Sequence, residues 1–171
     1  DFENEHERGS IGLEARGGNL ELNVNLYEDI SLQQVANGRK EQALGGYDLN
    51  ISSQIPYMPW ARFNYTSYEW KADIASQNSK GIKYSSEMNI TSSLVLDIEY
   101  DKSGNTGVDS IASANIKIVY PPRNNKLSLN DGFIARQAFV NKDVSTKLQD
   151  RVKRNNKIVI ETQGAVVFVR K

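Results

Sequence analysis

Apolar and polar residues alternate with period two in seven stretches of the chain. In one of them Tyr47, Leu49 and Ile51 fall on one side of an extended strand, whereas Asp48 and Asn50 fall on the other. The same alternation recurs in the stretches 10–16, 20–26, 62–66, 82–90, 94–100 and 114–120. The pattern predicts an all-β, antiparallel arrangement of about seven strands, each with one apolar and one polar side.

Two architectures produce this alternation, namely a membrane-spanning β-barrel and a soluble β-sandwich. The predicted strands are commonly about eight to eleven residues long, close to the roughly 9–11 residues that a tilted strand needs to cross a bilayer. Aromatic residues gather near the predicted strand ends, where an amphipathic ring can lie among lipid headgroups. The candidates for such membrane-interface aromatics are Tyr27, Tyr47, Tyr57, Trp60, Trp70, Tyr100 and Tyr120. Strand length and aromatic placement favour the barrel.

The connections between the predicted strands alternate between short and long. In chain order they cover residues 16–19, 28–45, 56–60, 73–81, 91–93 and 101–109. Outer-membrane barrels have short periplasmic turns and longer loops outside, so the order assigns a side to every connection. The first predicted strand then runs inward, and the seventh ends at Tyr120 in the periplasm.

The character of the sequence changes after Tyr120. Pro121 and Pro122 cannot continue a paired strand. From Phe133 to Arg154 the spacing is closer to helical, with an apolar stripe formed by Val140, Val144, Leu148 and Val152. Two apolar runs, 158–160 and 165–169, predict a β-hairpin in a new register. The predicted domains are barrel strands over 1–122, a polar, partly helical linker over 123–157 and a short hairpin over 158–171.

Composition removes several function classes. The 171 residues carry 21 basic and 21 acidic side chains, so no basic footprint for nucleic acid is present. Cysteine is absent, and the single histidine, His6, is more simply a surface residue than a metal ligand. No serine or threonine has a convincing activating partner, and no glycine-rich segment ends in Lys-Ser or Lys-Thr. We therefore expect no enzyme activity, no cofactor and no metal.

Polar side chains on the wet side of the predicted strands are the candidate functional residues. In a barrel they line the lumen, where they can pair with one another or with charges of the linker. The lumen-facing candidates are Asp48, Asn50, Arg62, Lys83, Glu87, Asp97, Glu99 and Lys117, and the linker candidates are Lys147, Asp150 and Arg151. Contacts that plug the pore and a plainly hydrated lumen both remain open.

Two stretches resemble the β-barrel domain of the intimin and invasin family of inverse autotransporters. The first combines Gly46-Tyr47-Asp48-Leu49 with Ile55-Pro56-Tyr57-Met58-Pro59-Trp60, and the second runs from Leu148 through Arg154-Asn155-Asn156-Lys157 to Glu161. The start, Arg8-Gly9-Ser10-Ile11-Gly12-Leu13-Glu14, is also similar to a strand of that family. The resemblance implies an outer-membrane barrel of a Gram-negative bacterium whose chain returns through the pore to display a C-terminal adhesive passenger.

The resemblance also implies partners. These are outer-membrane lipids, the barrel-insertion machinery, periplasmic chaperones, and this protein's own further N-terminal strands and passenger. Because single-chain bacterial barrels have an even number of strands, seven strands predict the C-terminal part of a barrel. The alternatives are a self-contained small barrel or pore, closed as eight strands by residues 158–169, and a soluble β-sandwich carbohydrate-binding module with Trp60 and Trp70 as stacking platforms. The sandwich predicts burial of Leu22, Leu49, Ile51 and Ile116.

Overall fold

Strands dominate the computed structural model, which describes residues 6–31, 33–36, 38–73, 78–103, 110–122, 126–140, 144–147, 154–155, 158–162 and 165–169. The strands in chain order are β1 (Arg8–Arg16), β2 (Leu20–Asp29), β3 (Gln34–Ala36), β4 (Arg39–Ala43), β5 (Gly46–Ile55), β6 (Met58–Trp70), β7 (Ser79–Asn89), β8 (Leu94–Ser103), β9 (Ile111–Ile118), β10 (Ile158–Thr162) and β11 (Ala165–Val169). Seven of them form one antiparallel sheet in the order β1-β2-β5-β6-β7-β8-β9. All seven predicted strands are confirmed.

The register of the large sheet places apolar residues opposite apolar residues and polar residues opposite polar residues. Leu22 lies opposite Ile51, and Asn23 lies opposite Asn50, so apolar partners share one side and polar partners share the other. A slip of one residue would exchange the two sides, which is why the period-two pattern fixes the register so strongly. The sheet consequently has an apolar face and a polar face, called here the outer face and the inner face.

The outer face is exposed and the inner face is buried, the reverse of a soluble sheet. Leu22, Ile51 and Ile116 are 41%, 37% and 72% exposed, whereas Asn25 and Asp48 are 0% and 2% exposed. Leu49 is only half-buried. A sandwich would bury the apolar side chains against a second sheet, so the sandwich alternative is wrong.

The large sheet is open among the described residues. Its order begins at β1 and ends at β9, and these two strands do not pair with each other. The eight-stranded alternative required the 158–169 hairpin to complete this sheet. Instead β10 pairs with β4 and β11, so the hairpin belongs to a second sheet of order β11-β10-β4-β3. The hairpin itself is confirmed, but its predicted closing role is wrong.

The predicted helical character of 133–154 is not supported by the described part of that segment. Its regular structure there is one short 3₁₀ helix, Val144–Lys147, and a second, Leu129–Asp131, precedes it. The physical reason lies in the backbone near residue 135. The Ala135 N–H and the Ala138 carbonyl bond to Tyr57 of the β5–β6 turn, so they are not available to an α-helical ladder. Leu148 and Val152 lie outside the described residues.

No helix within the described ranges is long and apolar enough to span a membrane.

Candidate functional site

The large sheet has two different ends. Short connections join β1 to β2, β5 to β6 and β7 to β8 at one end, called here the turn end. Longer connections join β2 to β5, β6 to β7 and β8 to β9 at the other, called the loop end. The β3–β4 hairpin lies within the first of these long connections. The sequence predicted the alternation of connection lengths but not this hairpin.

A continuous hydrogen-bond network occupies the inner face across β2, β5 and β6. Asn25 Nδ2 and Asn50 Nδ2 donate to Asp48 Oδ1 over 2.8 and 2.6 Å. Asn25 Nδ2 also lies 2.7 Å from Asn23 Oδ1, and Thr66 Oγ1 donates to Asn50 Oδ1 over 2.7 Å. Buried polar groups are costly unless they are satisfied, and this network supplies hydrogen bonds to the Asp48 carboxylate.

Ion pairs continue along the inner face. Arg62 Nη2 lies 3.1 Å from Glu21 Oε2, and Lys83 Nζ lies 3.5 Å from Glu99 Oε2. Lys117 contacts Asp97 across the β8–β9 ladder. Glu87 of β7 lies opposite Asp97 of β8 and is half-buried.

The structure thus places Asp48, Asn50, Arg62, Lys83, Glu87, Asp97, Glu99 and Lys117 on one face, with Lys117 exposed and the others at least half-buried. Their role as lumen-lining residues stays a prediction. Lys147 belongs to a 3₁₀ helix, although its side chain lies outside what the structure describes, as do Asp150 and Arg151 entirely. Their pairing with the barrel therefore also stays a prediction.

Three of the predicted interface aromatics are interior residues. Tyr27, Trp60 and Trp70 are buried, and Trp60 donates to the Phe133 carbonyl over 3.0 Å. Their interface assignment, and the stacking-platform role of the two tryptophans, are corrected. The alternation along β2 already indicated the burial of Tyr27, because Tyr27 lies on the same side of the strand as Asn23 and Asn25. The position of Tyr27 near a strand end was the weaker signal.

The remaining aromatic candidates point away from the inner face or lie beyond the sheet. Tyr47 and Tyr100 are exposed on the outer face, Tyr57 lies in the β5–β6 turn, and Tyr120 is exposed beyond β9. Outer-face Tyr65 and Tyr84 also contact each other, with ring centroids 5.6 Å apart. Contact of these rings with a membrane interface stays a prediction.

Tyr27 and Trp70 belong to a small core at the loop end. Tyr27, Leu44, Tyr68, Trp70 and Val159 are all buried in one cluster. The ring centroids of Tyr27 and Trp70 are 5.2 Å apart, and those of Tyr68 and Trp70 are 6.1 Å apart. Since Val159 belongs to β10, this core joins the large sheet to the second sheet.

Arg8 and Tyr27 hold the backbone of Asn155 at the loop end. The Asn155 N–H donates to the Tyr27 hydroxyl over 2.8 Å, and Arg8 Nη2 donates to the Asn155 carbonyl over 2.6 Å. The Tyr27 hydroxyl donates in turn to Asp48 Oδ2 over 2.6 Å. The Arg8 guanidinium lies over the Tyr27 and Trp70 rings, 4.3 and 4.9 Å from their centroids. Asn155 lay in the family-like motif, but sequence reasoning missed Arg8 because its partners are distant in sequence.

The chain after β9 also contacts the turn end. The Tyr57 N–H donates to the Ala138 carbonyl over 2.7 Å, and the Ala135 N–H donates to the Tyr57 carbonyl over 2.8 Å. Just before this contact, the Ser128 N–H and hydroxyl donate to Asp131 Oδ2, both over 2.8 Å. These bonds, the backbone one first, hold the pKa of Asp131 below its usual range. The post-β9 chain therefore contacts both ends of the sheet, at 135–138 and at 154–155.

The comparisons with known proteins agree with this geometry. The family described as "Inverse autotransporter, beta-domain" matches residues 1–156. The chain belongs to the inverse autotransporter β-domain family. A solved structure described as "Unveiling the Mechanism Behind the in-meso Crystallization of Membrane Proteins" is similar, with a TM-score of 0.67 and 17% identity over 91% of this chain and 67% of that chain. At that identity it supports the fold alone. None of the curated proteins matches at a significant level.

Membership places this inverse autotransporter β-domain in the outer membrane of Gram-negative bacteria, as a β-barrel of type V secretion with a translocator and anchor role. The predicted family, localisation and coarse function are confirmed. The family is one of translocators and not of enzymes.

Among the described residues no three potential metal-binding side chains gather. His6 is 8% exposed and its Nε2 lies 3.6 Å from Glu41 Oε2, so the prediction that it is a surface residue is wrong.

Proposed function

We propose that this inverse autotransporter β-domain anchors an intimin- or invasin-like adhesin and displays a C-terminal passenger at the cell surface. One observation carries the proposal: residues 135–138 contact the turn end, whereas Arg154 and Asn155 contact the loop end. Arg154 Nη1 lies 3.2 Å from Ser10 Oγ. With short turns in the periplasm and long loops outside, this chain enters the pore from the periplasm and leaves it at the surface.

The length of the connecting chain fits this path. Strand β5 has 10 residues and spans about 30 Å between the two ends. The chain from Ala138 to Arg154 can extend to about 55 Å, which is sufficient. As a single α-helix it reaches only about 24 Å, so a wholly helical linker is too short for the same path.

The open edges of β1 and β9 define the rest of the proposal. Unpaired strand edges are not stable in a bilayer, because their backbone groups lack partners there. We therefore assign the seven strands to the C-terminal part of a barrel that further N-terminal strands complete. Its partners are outer-membrane lipids at the outer face, and the barrel-insertion machinery and periplasmic chaperones during assembly.

Crosslinking in intact cells tests the path of the chain. The 171 residues contain no cysteine, so the introduced pairs are unambiguous once any cysteine elsewhere in the full-length protein has been replaced. We expect a short bifunctional thiol reagent to join Tyr57→Cys to Ala138→Cys, and Ser10→Cys to Arg154→Cys, in the membrane-inserted full-length protein. The control pair, Tyr57→Cys with Arg154→Cys, joins opposite ends and should not react. Crosslinking of the control pair, or failure of either matched pair, contradicts a chain that runs through the pore.

Display and adhesion need a second readout. An epitope placed after Lys171 in the full-length protein should be accessible to antibody on intact cells. Cells carrying the full-length protein should attach to host cells, and cells whose protein stops after Lys171 should not. An epitope accessible only after the outer membrane is permeabilised contradicts surface display, whereas display without attachment contradicts only the adhesin assignment.

A further inference from the structure

The second sheet is shared between the barrel and the chain that follows its pore segment. Strand β4 belongs to a hairpin in the long connection between β2 and β5, and β10 lies beyond the linker. They pair antiparallel, with Ala43 opposite Ile160 and Gln42 opposite Glu161. The Leu44 N–H adds a bond of 2.8 Å to the Val159 carbonyl. An extended segment is therefore added to the free edge of a loop hairpin, a mode of binding in which main-chain hydrogen bonds supply affinity.

Side chains fix which segment is added. Val159 and Leu44 are both fully buried in the aromatic core at the loop end. Glu161 is fully buried as well, and its Oε1 accepts from the Asp73 N–H over 2.8 Å. Gln42 Nε2 lies 3.3 Å from Asp73 Oδ2, so the connection after β6 supports the same site. Two long connections, the one between β2 and β5 and the one between β6 and β7, thus form a binding site for β10.

We propose that strand β4 is a folding template for the exported chain. This inference rests on the proposed function above. When residues 155–162 emerge at the loop end, Arg8 and Tyr27 hold the Asn155 backbone, β10 pairs with β4, and Val159 enters the aromatic core. β11 then pairs with β10 and presents a new edge to the following chain. The bonds and apolar burial gained outside oppose return of the chain into the pore.

A proline at Gln42 tests the template on the barrel side. Because residues 44 and 159 form a hydrogen-bonded pair, the alternation of antiparallel pairs points the Gln42 N–H toward β10. The same alternation points the Val35 N–H away from β4, on the outer edge of the small sheet. Val35→Pro is therefore a matched control, since proline is tolerated at such an edge.

The readout is the rate at which an epitope placed after Lys171 becomes protease-accessible on intact cells in a pulse–chase experiment. We expect Gln42→Pro to slow this appearance at least threefold, with Val35→Pro equal to the unmodified protein and with barrel insertion, followed by heat-dependent gel mobility, unchanged in both. Equal rates for Gln42→Pro and the unmodified protein overturn the template.

If the Gln42→Pro protein does not insert into the membrane, substitutions in β10 test the template instead. Val159→Asn removes the buried side chain of β10, and Ile158→Asn changes its half-buried neighbour. We expect slow appearance for Val159→Asn only, and equal rates for the two variants overturn the template. The two proposals fail differently. An epitope that is never accessible in the unmodified protein removes the proposed export itself, whereas normal display in every variant removes only the template.

Discussion

At the scale of single residues, Tyr27 connects three parts of the molecule. Its hydroxyl donates to Asp48 and accepts from Asn155, and its ring lies beneath Arg8. A hydrogen bond to a buried charged group contributes about 1.5–3 kcal/mol, because the partner is costly to leave unpaired. Tyr27 therefore links the inner-face network to the backbone of the chain that follows β9.

Removal of this hydroxyl should destabilise the protein. We expect Tyr27→Phe to lower the free energy of unfolding of the full-length protein in detergent micelles by about 2 kcal/mol. Tyr47→Phe removes the same atom from an exposed pair with Glu69 on the outer face, so it should change stability by less than about 0.5 kcal/mol. Urea unfolding of both variants measures the contrast. Equal effects would mean that the Tyr27 hydroxyl is not the buried connection described here.

The side of the strand on which an aromatic residue lies predicts whether that residue is buried. Its position along the strand does not. Tyr47 lies on the apolar side of β5 and is exposed, whereas Tyr27 and Trp70 lie on the polar side of their strands and are buried. Both groups occur near strand ends, so closeness to a strand end does not distinguish exposed aromatic residues from buried ones. The contact of Arg8 with Asn155 was not predictable, because the two residues are 147 positions apart.

At the scale of elements, the long strands were predictable and the second sheet was not. Each strand of the large sheet carries several periods of alternation, enough to fix its existence and faces. Strand β3 has only 3 residues, and β4 has 5, four of which are polar. Strand β4 pairs with β10, a partner more than 100 positions away, so no local sequence pattern predicts this pairing.

Packing between β6 and β7 depends on a missing side chain. A Cβ at Gly81 would overlap the Oη and Cζ atoms of Tyr68, so the Tyr68 ring fills the space beside Gly81. We expect Gly81→Ala to destabilise the full-length protein by about 1–3 kcal/mol, because the ring is held in the Trp70 core and must shift. Urea unfolding in micelles measures this.

The double variant Tyr68→Ala with Gly81→Ala is the internal control. With the ring removed, the added methyl group has space, so Gly81→Ala should cost little in that background. Additive effects of the two substitutions would show that Tyr68 does not occupy the position beside Gly81.

At the scale of the whole molecule, the burial pattern is inverted. Outer-face residues such as Leu22, Ile51 and Tyr47 are exposed, whereas inner-face residues such as Asn25, Asp48 and Ser52 are buried. Since apolar surface is costly in water, this arrangement is stable only with hydrocarbon against the outer face. The alternation predicted two faces, but it could not decide which face is buried, because a sandwich alternates in the same way. Strand length and the order of connection lengths favoured the barrel.

Cysteine labelling along β8 in native membranes tests this central claim most directly. In the full-length protein, cysteines at Leu96, Ile98 and Tyr100 should react with a lipid-soluble thiol reagent, and cysteines at Asp97 and Glu99 should not, because their side chains lie on the inner face. A charged, water-soluble reagent should show no preference for the first set. Protection of Leu96 and Ile98 from the lipid-soluble reagent, or their preferential labelling from water, would contradict a membrane-facing outer surface.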